Sequence, residues 1–309
     1  MKKEEIKVRC YDDFYLNAYI FGNYEENFKG IVQIAHGKGE HSGNYGNIIK
    51  RLLENSYIVV IHDHRGHGKY NKGKEFFESN TKDNNFEVMV KDLRAINYSI
   101  RQKFPDKKVF LLGHSMGGYL SLKYAEVYGD TIDGLVLSGI GRDNKINLFL
   151  PVLVTKFICG FSDANKPNKF VSKNFFRVLN RKFKNDKVKH DYAFTTSDKI
   201  VLDRYNSDDL RIKQYTLKFY HDLFNGLYSS LDSKSISKIP KNLKIFIVAG
   251  EDDPVSSFER GVSNLNSIFI NNKIDSRYKI YKNMRHEVFV EKDRDKVIYD
   301  VLEFLKSLN

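Results

Sequence analysis

The sequence predicts an α/β protein with a mostly parallel central sheet, helices on both faces and a helical insertion. Three observations predict it. Short apolar runs alternate with amphipathic stretches, one such run ends at a glycine-flanked serine, and the alternation stops between residues 141 and 226. Repeated strand-helix units place parallel strands in one sheet that helices cover on both faces. At 309 residues the chain is long enough to bury a large core.

The glycine-flanked serine is Ser115, which Gly113 and Gly117 enclose in a G-x-S-x-G pattern. The apolar run 108–112 precedes it and the helical pattern 119–125 follows it, so the segment reads strand, sharp turn and helix. The glycines leave room where a strained turn brings backbone segments together. We therefore predict that Ser115 is a nucleophile exposed at the end of a strand. The alternative is a surface serine on an ordinary glycine turn.

The other early elements come from the first 140 residues. Strands are predicted at 6–10, 14–21, 30–35, 57–61 and 134–138, and helices at 45–53 and 86–100. A glycine-rich turn follows the strand at 30–35, and such a turn exposes the backbone N–H groups that an oxyanion hole requires. Three histidines lie in the loop 62–68. Their spacing matches no zinc pattern, so we predict a tight loop and no metal site.

The division of the chain follows from where the strand-helix alternation stops and resumes. We predict a first part of the core at 1–140, a helical cap or lid insertion at 141–226 and a second part of the core at 227–309. In the second part, strands are predicted at 243–250 and 277–281, and helices near 256–271 and at 291–308.

A serine hydroxyl needs a base to take its proton, and the base needs a carboxylate to orient it. His286 follows the last predicted strand, whereas the other histidines beyond Ser115, His190 and His221, lie in the insertion. The loop after Gly250 offers the carboxylates Glu251, Asp252 and Asp253. The pattern selects His286 as the base and leaves the choice among the three carboxylates open.

Composition restricts the partners and the compartment. With 51 Lys and Arg against 39 Asp and Glu, the net charge is +12, but no nucleic-acid-binding motif accompanies it. No apolar run is long enough to span a bilayer, and no apolar segment follows the first lysines. We expect a cytoplasmic protein, peripheral at the membrane if its charge is functional. The only cysteines, Cys10 and Cys159, are too few for a disulfide framework.

Three segments resemble, in chain order, the signatures of the monoacylglycerol lipase and lysophospholipase group of α/β-hydrolases. They are HGKGEHSGNY at 36–45, DHRGHG at 63–68 and GHSMGG at 113–118, and the segment 197–209 is similar to the cap of bacterial members. The resemblance covers almost the whole chain. It implies the α/β-hydrolase fold, no cofactor, and hydrolysis of a monoacyl lipid ester, which is a monoacylglycerol or a lysophospholipid. Alternatives are another acyl substrate, namely a small carboxylester, thioester or peptide, and a non-enzymatic binder of anionic surfaces.

Carried over by position, the resemblance implies the roles of the site residues. Ser115 is the nucleophile, Asp253 the acid and His286 the base, and the backbone N–H groups of Lys38 and Met116 form the oxyanion hole. Relatives usually have a small or apolar residue where Lys38 stands. A cation there could alter substrate choice or point to water. Because the hole uses only the backbone N–H, Lys38 should not prevent catalysis, and we expect its side chain to point to water.

The insertion also concentrates charge and apolar residues. Residues 141–226 contain 17 Lys and Arg and 9 Asp, so +8 of the net +12 lies there. The apolar stretch 146–161 predicts a cap helix in which Asn147 is the N-cap and Pro151 lies in the first turn. Such a helix packs on the core or rests on an anionic lipid surface. No oligomeric state is predicted.

Overall fold

The computed structural model of the chain describes residues 2–78, 81–184 and 191–309. Eight strands form one sheet: β1 (Lys3–Arg9), β2 (Tyr15–Phe21), β3 (Gly30–Ala35), β4 (Tyr57–His62), β5 (Val109–His114), β6 (Gly134–Ser138), β7 (Ile245–Gly250) and β8 (Ser276–Tyr281). Their order across the sheet is β1-β2-β4-β3-β5-β6-β7-β8. Strands β3 to β8 are parallel, while β1 and β2 pair antiparallel at one edge.

Helices cover both faces of this sheet. The α-helices of the described residues are α1 (Gly46–Glu54), α2 (Asn85–Lys103), α3 (Met116–Tyr128), α4 (Lys145–Cys159), α5 (Lys169–Leu179), α6 (Lys199–Ser207), α7 (Leu217–Ser230), α8 (Ser233–Ile236), α9 (Phe258–Asn271) and α10 (Arg294–Lys306). The prediction of an α/β-hydrolase fold is confirmed. Every residue of β3 to β7 is buried, which is why these strands are continuous apolar runs in the sequence.

Alternate side chains of the central strands supply two core layers. Leu111 of β5 and Leu135 of β6 pack with residues of α2, α3, α7 and α9 on one face. Phe110 and Leu112 of β5 pack with residues of α1 and α10 on the other. Because the strands are parallel, the loops after β3, β5, β7 and β8 meet at one edge of the sheet.

Strand β1 begins three residues before the predicted start at residue 6. Its pairing with β2 continues to Lys3, which lies opposite Phe21. Strand pairing uses backbone groups, so the polar and largely exposed side chains of residues 3–5 did not reveal it. The last helix is shorter than predicted and runs from Arg294 to Lys306.

Helices α4 to α7 occupy most of the predicted insertion. Helix α4 packs mainly against α7, and α7 also contacts α2 and α3 of the core. The predicted boundary at residue 226 falls inside α7, which continues to Ser230 because Leu227 and Leu231 extend its apolar face into the core. The division into core and cap stays a prediction.

The predicted N-cap of α4 is wrong. Asn144, not Asn147, is the cap, and its side-chain oxygen accepts a hydrogen bond from the backbone N–H of Asn147 at 2.8 Å. The helix therefore begins at Lys145 and contains Pro151 beyond its first turn. The apolar pattern begins only at Ile146, so it does not indicate the capping turn that precedes it.

The outward face of α4 is apolar and exposed. Its members recur at helical spacing and are Ile146, Phe149, Leu150, Leu153, Val154 and Phe157, with Phe161 just beyond the helix. Phe157 and Phe161 are 70% and 80% exposed. The exposed lysines Lys145 and Lys156 flank this face. Helix α4 thus packs through one side only. No described helix is long and apolar enough to cross a membrane.

Candidate active site

Ser115 lies at the sharp turn between β5 and α3. Its backbone has φ 53° and ψ −122°, a strained conformation for a residue with a side chain. A Cβ at Gly113 would lie 2.3 Å from the carbonyl oxygen of Gly117, and a Cβ at Gly117 would lie 2.1 Å from that of Ala35. Only glycine fits at either position. The turn therefore directs the Ser115 hydroxyl away from the sheet toward the neighbouring loops.

The structure brings Ser115, His286 and Asp253 into one hydrogen-bonded chain. The loop after β8 carries His286, whose Nε2 lies 2.7 Å from Ser115 Oγ. The loop after β7 carries Asp253, whose Oδ1 lies 2.9 Å from His286 Nδ1. Because Asp253 accepts from Nδ1–H, Nε2 is the nitrogen left to accept the Ser115 proton. The backbone N–H of Val255 also donates to Asp253 Oδ1, at 2.8 Å, and fixes the carboxylate.

The three carboxylates after β7 have different surroundings. Asp253 is fully buried against His286. Asp252 pairs instead with Lys182 of the predicted cap. Glu251 is exposed and accepts a hydrogen bond from the backbone N–H of Asn283. Of the three carboxylates, only Asp253 contacts the histidine.

Burial and charge set the protonation states of His286 and Asp253. Burial disfavours the charged form of His286, but the carboxylates of Asp253, Glu287 and Glu40 together raise the pKa of His286 above its usual value. Burial likewise disfavours the Asp253 carboxylate, but His286 stabilises it and the pKa of Asp253 is lowered. The pair therefore favours a charged carboxylate and readily forms an imidazolium, which is the state that proton transfer from serine creates.

The two predicted oxyanion-hole groups lie on either side of Ser115. Met116 is the first residue of α3, so its N–H has no partner within the helix. Lys38 follows Gly37, and a Cβ at Gly37 would lie 3.2 Å from Ser115 Cβ. Glu40 holds this turn by accepting from the Gly37 N–H at 2.6 Å. Within residues 2–78, 81–184 and 191–309, the N–H groups of Lys38 and Met116 donate to no other group. Their role in catalysis stays a prediction.

The prediction that the Lys38 side chain points to water is wrong. Its Nζ lies among four aromatic rings, 4.3 Å from the ring centre of Tyr215, 5.0 Å from Phe175, 5.3 Å from Phe176 and 5.7 Å from Tyr220. Aromatic faces attract a cation, and the side chain, which is partly buried, is held against these rings. Burial, together with repulsion from Arg211, lowers the pKa of Lys38 to about 7. The cap residues that enclose it are distant in sequence, so the motif alone could not show this.

An apolar pocket lies above Ser115, between the sheet edge and the helices of residues 141–230. Its apolar walls come from α4, α5, α7 and the loop after β7, and they consist of Leu148, Phe175, Phe176, Leu179, Leu223, Phe224, Leu227 and Val255. Lys38, Arg211 and Tyr192 add polar groups, and the carboxylates of Glu40, Asp143 and Glu287 also line the pocket. Sequence reasoning missed Arg211 and Glu287. The position of Glu287 beside His286 was the one available signal for it.

The loop after β4 supports the site without entering it. Arg65 is buried and pairs with Asp92 at 2.7 Å and with Asp12 at 2.6 Å. The backbone N–H of His64 donates to His36 Nε2 at 2.9 Å, which ties this loop to the turn after β3. Within the described segments, no three His, Cys, Asp or Glu side chains cluster in a way that could hold a metal ion.

His221, one of the two other histidines after Ser115, does not take part in the hydrogen-bonded chain of Ser115, His286 and Asp253. His221 on α7 lies 3.1 Å from the Thr155 hydroxyl of α4 and joins these two helices. His190 lies outside the described residues.

The sheet order, the strained serine turn and the loops that converge on it define an α/β-hydrolase. Residues 26–293 match the family described as Hydrolase_4, serine aminopeptidase S33, and the chain belongs to this family. Its relatives place it in a group that resembles monoacylglycerol lipases.

Similarity to individual proteins is modest. The monoglyceride lipase of Rattus norvegicus is 35% identical over 109 residues, which cover 35% of this chain and 34% of that protein. The match thus spans about a third of that lipase. Phospholipase YtpA of Bacillus subtilis is 24% identical over 271 residues, covering 86% of this chain and 91% of that protein.

Solved structures share the fold over the full chain. A thermostable carboxyl esterase from Bacillus coagulans superposes with a TM-score of 0.90 at 22% identity, covering 100% of this chain and 99% of that one. A monoglyceride lipase from Saccharomyces cerevisiae superposes with a TM-score of 0.73 at 20% identity, covering 100% and 97%. At such identities the likeness establishes the fold.

Proposed function

We propose that this hydrolase cleaves carboxylic esters of monoacyl lipids through an acyl-enzyme on Ser115. The observation that carries the proposal is the hydrogen-bonded chain from Ser115 through His286 to Asp253 at the base of an apolar pocket. A nucleophile, a base within 2.7 Å and a buried orienting carboxylate are the three parts that acyl transfer from serine requires.

In the proposed reaction, Ser115 Oγ attacks the ester carbonyl carbon while His286 Nε2 takes the hydroxyl proton. The negative charge that develops on the carbonyl oxygen is stabilised by the N–H groups of Lys38 and Met116. When the intermediate collapses, the bond to the alcohol breaks, and His286 returns the proton to the departing alkoxide. A water molecule then attacks the acyl-enzyme by the same route and releases the fatty acid.

The lining of the pocket supports an acyl chain as the group bound above Ser115. Phe175, Phe176, Phe224 and Leu227 come from helices of the predicted cap, and burial of each methylene of a chain against such residues contributes about 0.8 kcal/mol. Monoglyceride lipases and a phospholipase are among the relatives. The alternative is another acyl substrate of the same fold, because a methylesterase and a proline iminopeptidase are also relatives.

The outward face of α4 supports peripheral contact with an anionic membrane. Phe157 and Phe161 are largely exposed on this face, which exposed lysines flank, in a segment of net charge +8. An apolar face enters the boundary between lipid headgroups and chains, and each basic residue near an anionic surface adds about 1 kcal/mol. This contact places the pocket close to its lipid supply, at a membrane that faces the cytoplasm.

Two measurements test the proposal. Labelling by a fluorophosphonate probe, lost in Ser115→Ala, separates a serine hydrolase from a non-enzymatic binder. A panel of glycerol esters, thioesters and aminoacyl amides of increasing chain length then separates the substrates. We expect kcat/KM to rise with chain length in the monoacylglycerol series. A preference for aminoacyl amides or for acetyl esters would replace the lipid substrate and leave the serine mechanism in place.

A further inference from the structure

Lys38 lines the same pocket as Ser115, and no carboxylate pairs with its amino group in the described part of the chain. The neighbours of this amino group are the faces of four aromatic rings. Phe175 and Phe176 border the pocket together with Lys38, whereas Tyr215 and Tyr220 lie behind it. The side chain is thus held against the rings and open to the pocket on one side.

A second cation borders the same pocket. Arg211 is 5% exposed, stacks on the ring of Tyr205 at 3.6 Å and lies 3.5 Å from a carboxylate oxygen of Glu287 through Nη2. Its Nε and Nη1 atoms have no hydrogen-bond partner among the described residues. Glu287 therefore satisfies one part of the guanidinium and leaves the other N–H groups unpaired.

This arrangement of the two side chains is unfavourable. Buried N–H groups without acceptors reduce stability, and so does a partly buried ammonium without a counter-charge. The lowered pKa of Lys38, about 7, reflects the same cost, because burial and Arg211 both disfavour its charged form. The carboxylates of the pocket already accept from other groups: Glu40 from Gly37 and Tyr45, Asp143 from Asn144 and Asn147, and Glu287 from Tyr205. An anionic oxygen group in the pocket would remove both deficits, since it accepts from Arg211 and neutralises Lys38.

We infer that the pocket binds acyl esters that carry an anionic oxygen group, a phosphate or a carboxylate, and that Lys38 Nζ and the unpaired N–H groups of Arg211 bind this group. The inference rests on the proposed function and narrows its substrate class. A neutral monoacylglycerol leaves both cations unsatisfied. A phosphate would sit on the alcohol side of the ester, as in a lysophospholipid, and a carboxylate on the acyl side, as in a half-ester of a dicarboxylic acid.

Two matched pairs of esters test the inference and distinguish the two anions. The first pair is butyrylglycerol and butyrylglycerol phosphate, and the second is nitrophenyl valerate and the nitrophenyl monoester of glutarate. For at least one pair, we expect wild-type kcat/KM to be about tenfold or more higher for the anionic member. Lys38→Met should reduce this ratio about tenfold, and Lys38→Arg should retain most of it. The ratio cancels any general effect of the substitution on the neighbouring oxyanion turn.

Lys213→Met is the matched control. Lys213 lies two residues from Arg211 but is exposed and donates to the backbone oxygen of Asn206 at 3.3 Å, so its loss should leave the ratio unchanged. Arg211 itself is a poorer test, because its removal leaves Glu287 buried without a counter-charge.

Binding provides a readout that does not depend on turnover. Butyrylglycerol phosphate or the glutarate monoester should bind to Ser115→Ala protein in calorimetry, and the combined Ser115→Ala, Lys38→Met variant should bind it about tenfold more weakly. If wild type hydrolyses the neutral esters equally well or better and Lys38→Met leaves both ratios unchanged, the anion site is refuted while the esterase stands. If no ester is hydrolysed and no fluorophosphonate reacts, the proposed function fails, and the calorimetry alone decides whether the anion site exists.

Discussion

The loops after β5, β7 and β8 and the helices of residues 141–230 border the same pocket, but they are built in opposite ways. The loops place Ser115, Asp253 and His286 through directed hydrogen bonds of 2.7 and 2.9 Å at the edge of a buried sheet. The helices contribute apolar rings and leave the outward face of α4 exposed. The function of the loops therefore depends on the positions of individual atoms, whereas that of the helices depends on the apolar surface that they present.

This difference predicts how each region tolerates substitution. Hydrogen-bonded groups that act as a unit lose most of their effect when any member is removed. Apolar contacts contribute roughly in proportion to the area buried, so single changes in the helices have graded effects. The predictions below test this contrast.

The largest effect should come from the serine and the base. Ser115→Ala and His286→Ala should each reduce kcat for ester hydrolysis about a million-fold, because the nucleophile and its base work as one unit. Steady-state kinetics on a short-chain ester measures this loss, and a thermal melt provides the control. Substantial turnover by purified Ser115→Ala protein, with an unchanged melt, would contradict the assignment of the nucleophile.

Substitution of the acid, Asp253, should have the next largest effect on kcat. Asp253→Asn should reduce kcat about ten-thousand-fold, because an amide cannot hold His286 in the tautomer that accepts the serine proton. Asp252→Asn is the matched control and should retain most activity, since Asp252 pairs with Lys182 instead. The reverse ranking would show that the neighbouring carboxylate is the acid.

A substitution on the outward face of α4 should have a smaller effect and act on binding rather than chemistry. Phe157→Asp should weaken co-sedimentation with anionic vesicles at low salt about tenfold or more, because it replaces an apolar contact with a repelled charge. Hydrolysis of a dissolved short-chain ester should not change. Tyr299→Asp on α10, where Tyr299 is 61% exposed, is the control and should bind like wild type.

Salt and lipid charge complete this test. Wild-type protein should release from anionic vesicles at high salt, because surface charges are screened over about 10 Å at 0.1 M. It should bind neutral vesicles much less. Equal binding to both kinds of vesicle, or to neither, is the outcome that removes the membrane proposal and leaves the active site untouched.

The pH dependence should show the smallest effect. His286 acts as a base only when neutral, and its pKa is raised because the nearby carboxylates, Asp253 above all, outweigh the effect of burial. Activity should therefore fall as pH is lowered, with a midpoint above the usual histidine value of about 6.5. In Asp253→Asn the residual activity should have its midpoint at lower pH. The pH profile of kcat/KM measures both, and a wild-type midpoint below that of the variant would contradict the charge assignment.

The amino-acid pattern alone predicts the parallel sheet and the positions of its reactive loops. Strands buried on both faces must be continuous apolar runs, so β3 to β7 are visible as such. The serine turn needs glycine at positions 113 and 117 because a Cβ would collide with backbone there. Constraints of this kind act on short stretches of the chain and are therefore visible in the sequence. The position of His286 after the last strand followed from the order of the chain.

Which groups from distant parts of the chain come into contact depends on how the chain packs. Pattern alone left three carboxylates open, and contact with His286 distinguishes Asp253 from its two neighbours. The Lys38 side chain was expected in water, yet rings from α5, α7 and the segment before α7 enclose it. Side-chain direction and charge pairing depend on long-range packing, which no local pattern encodes. The sequence therefore identified the candidate catalytic loops, and packing brought Lys38 and Arg211 to the pocket beside them.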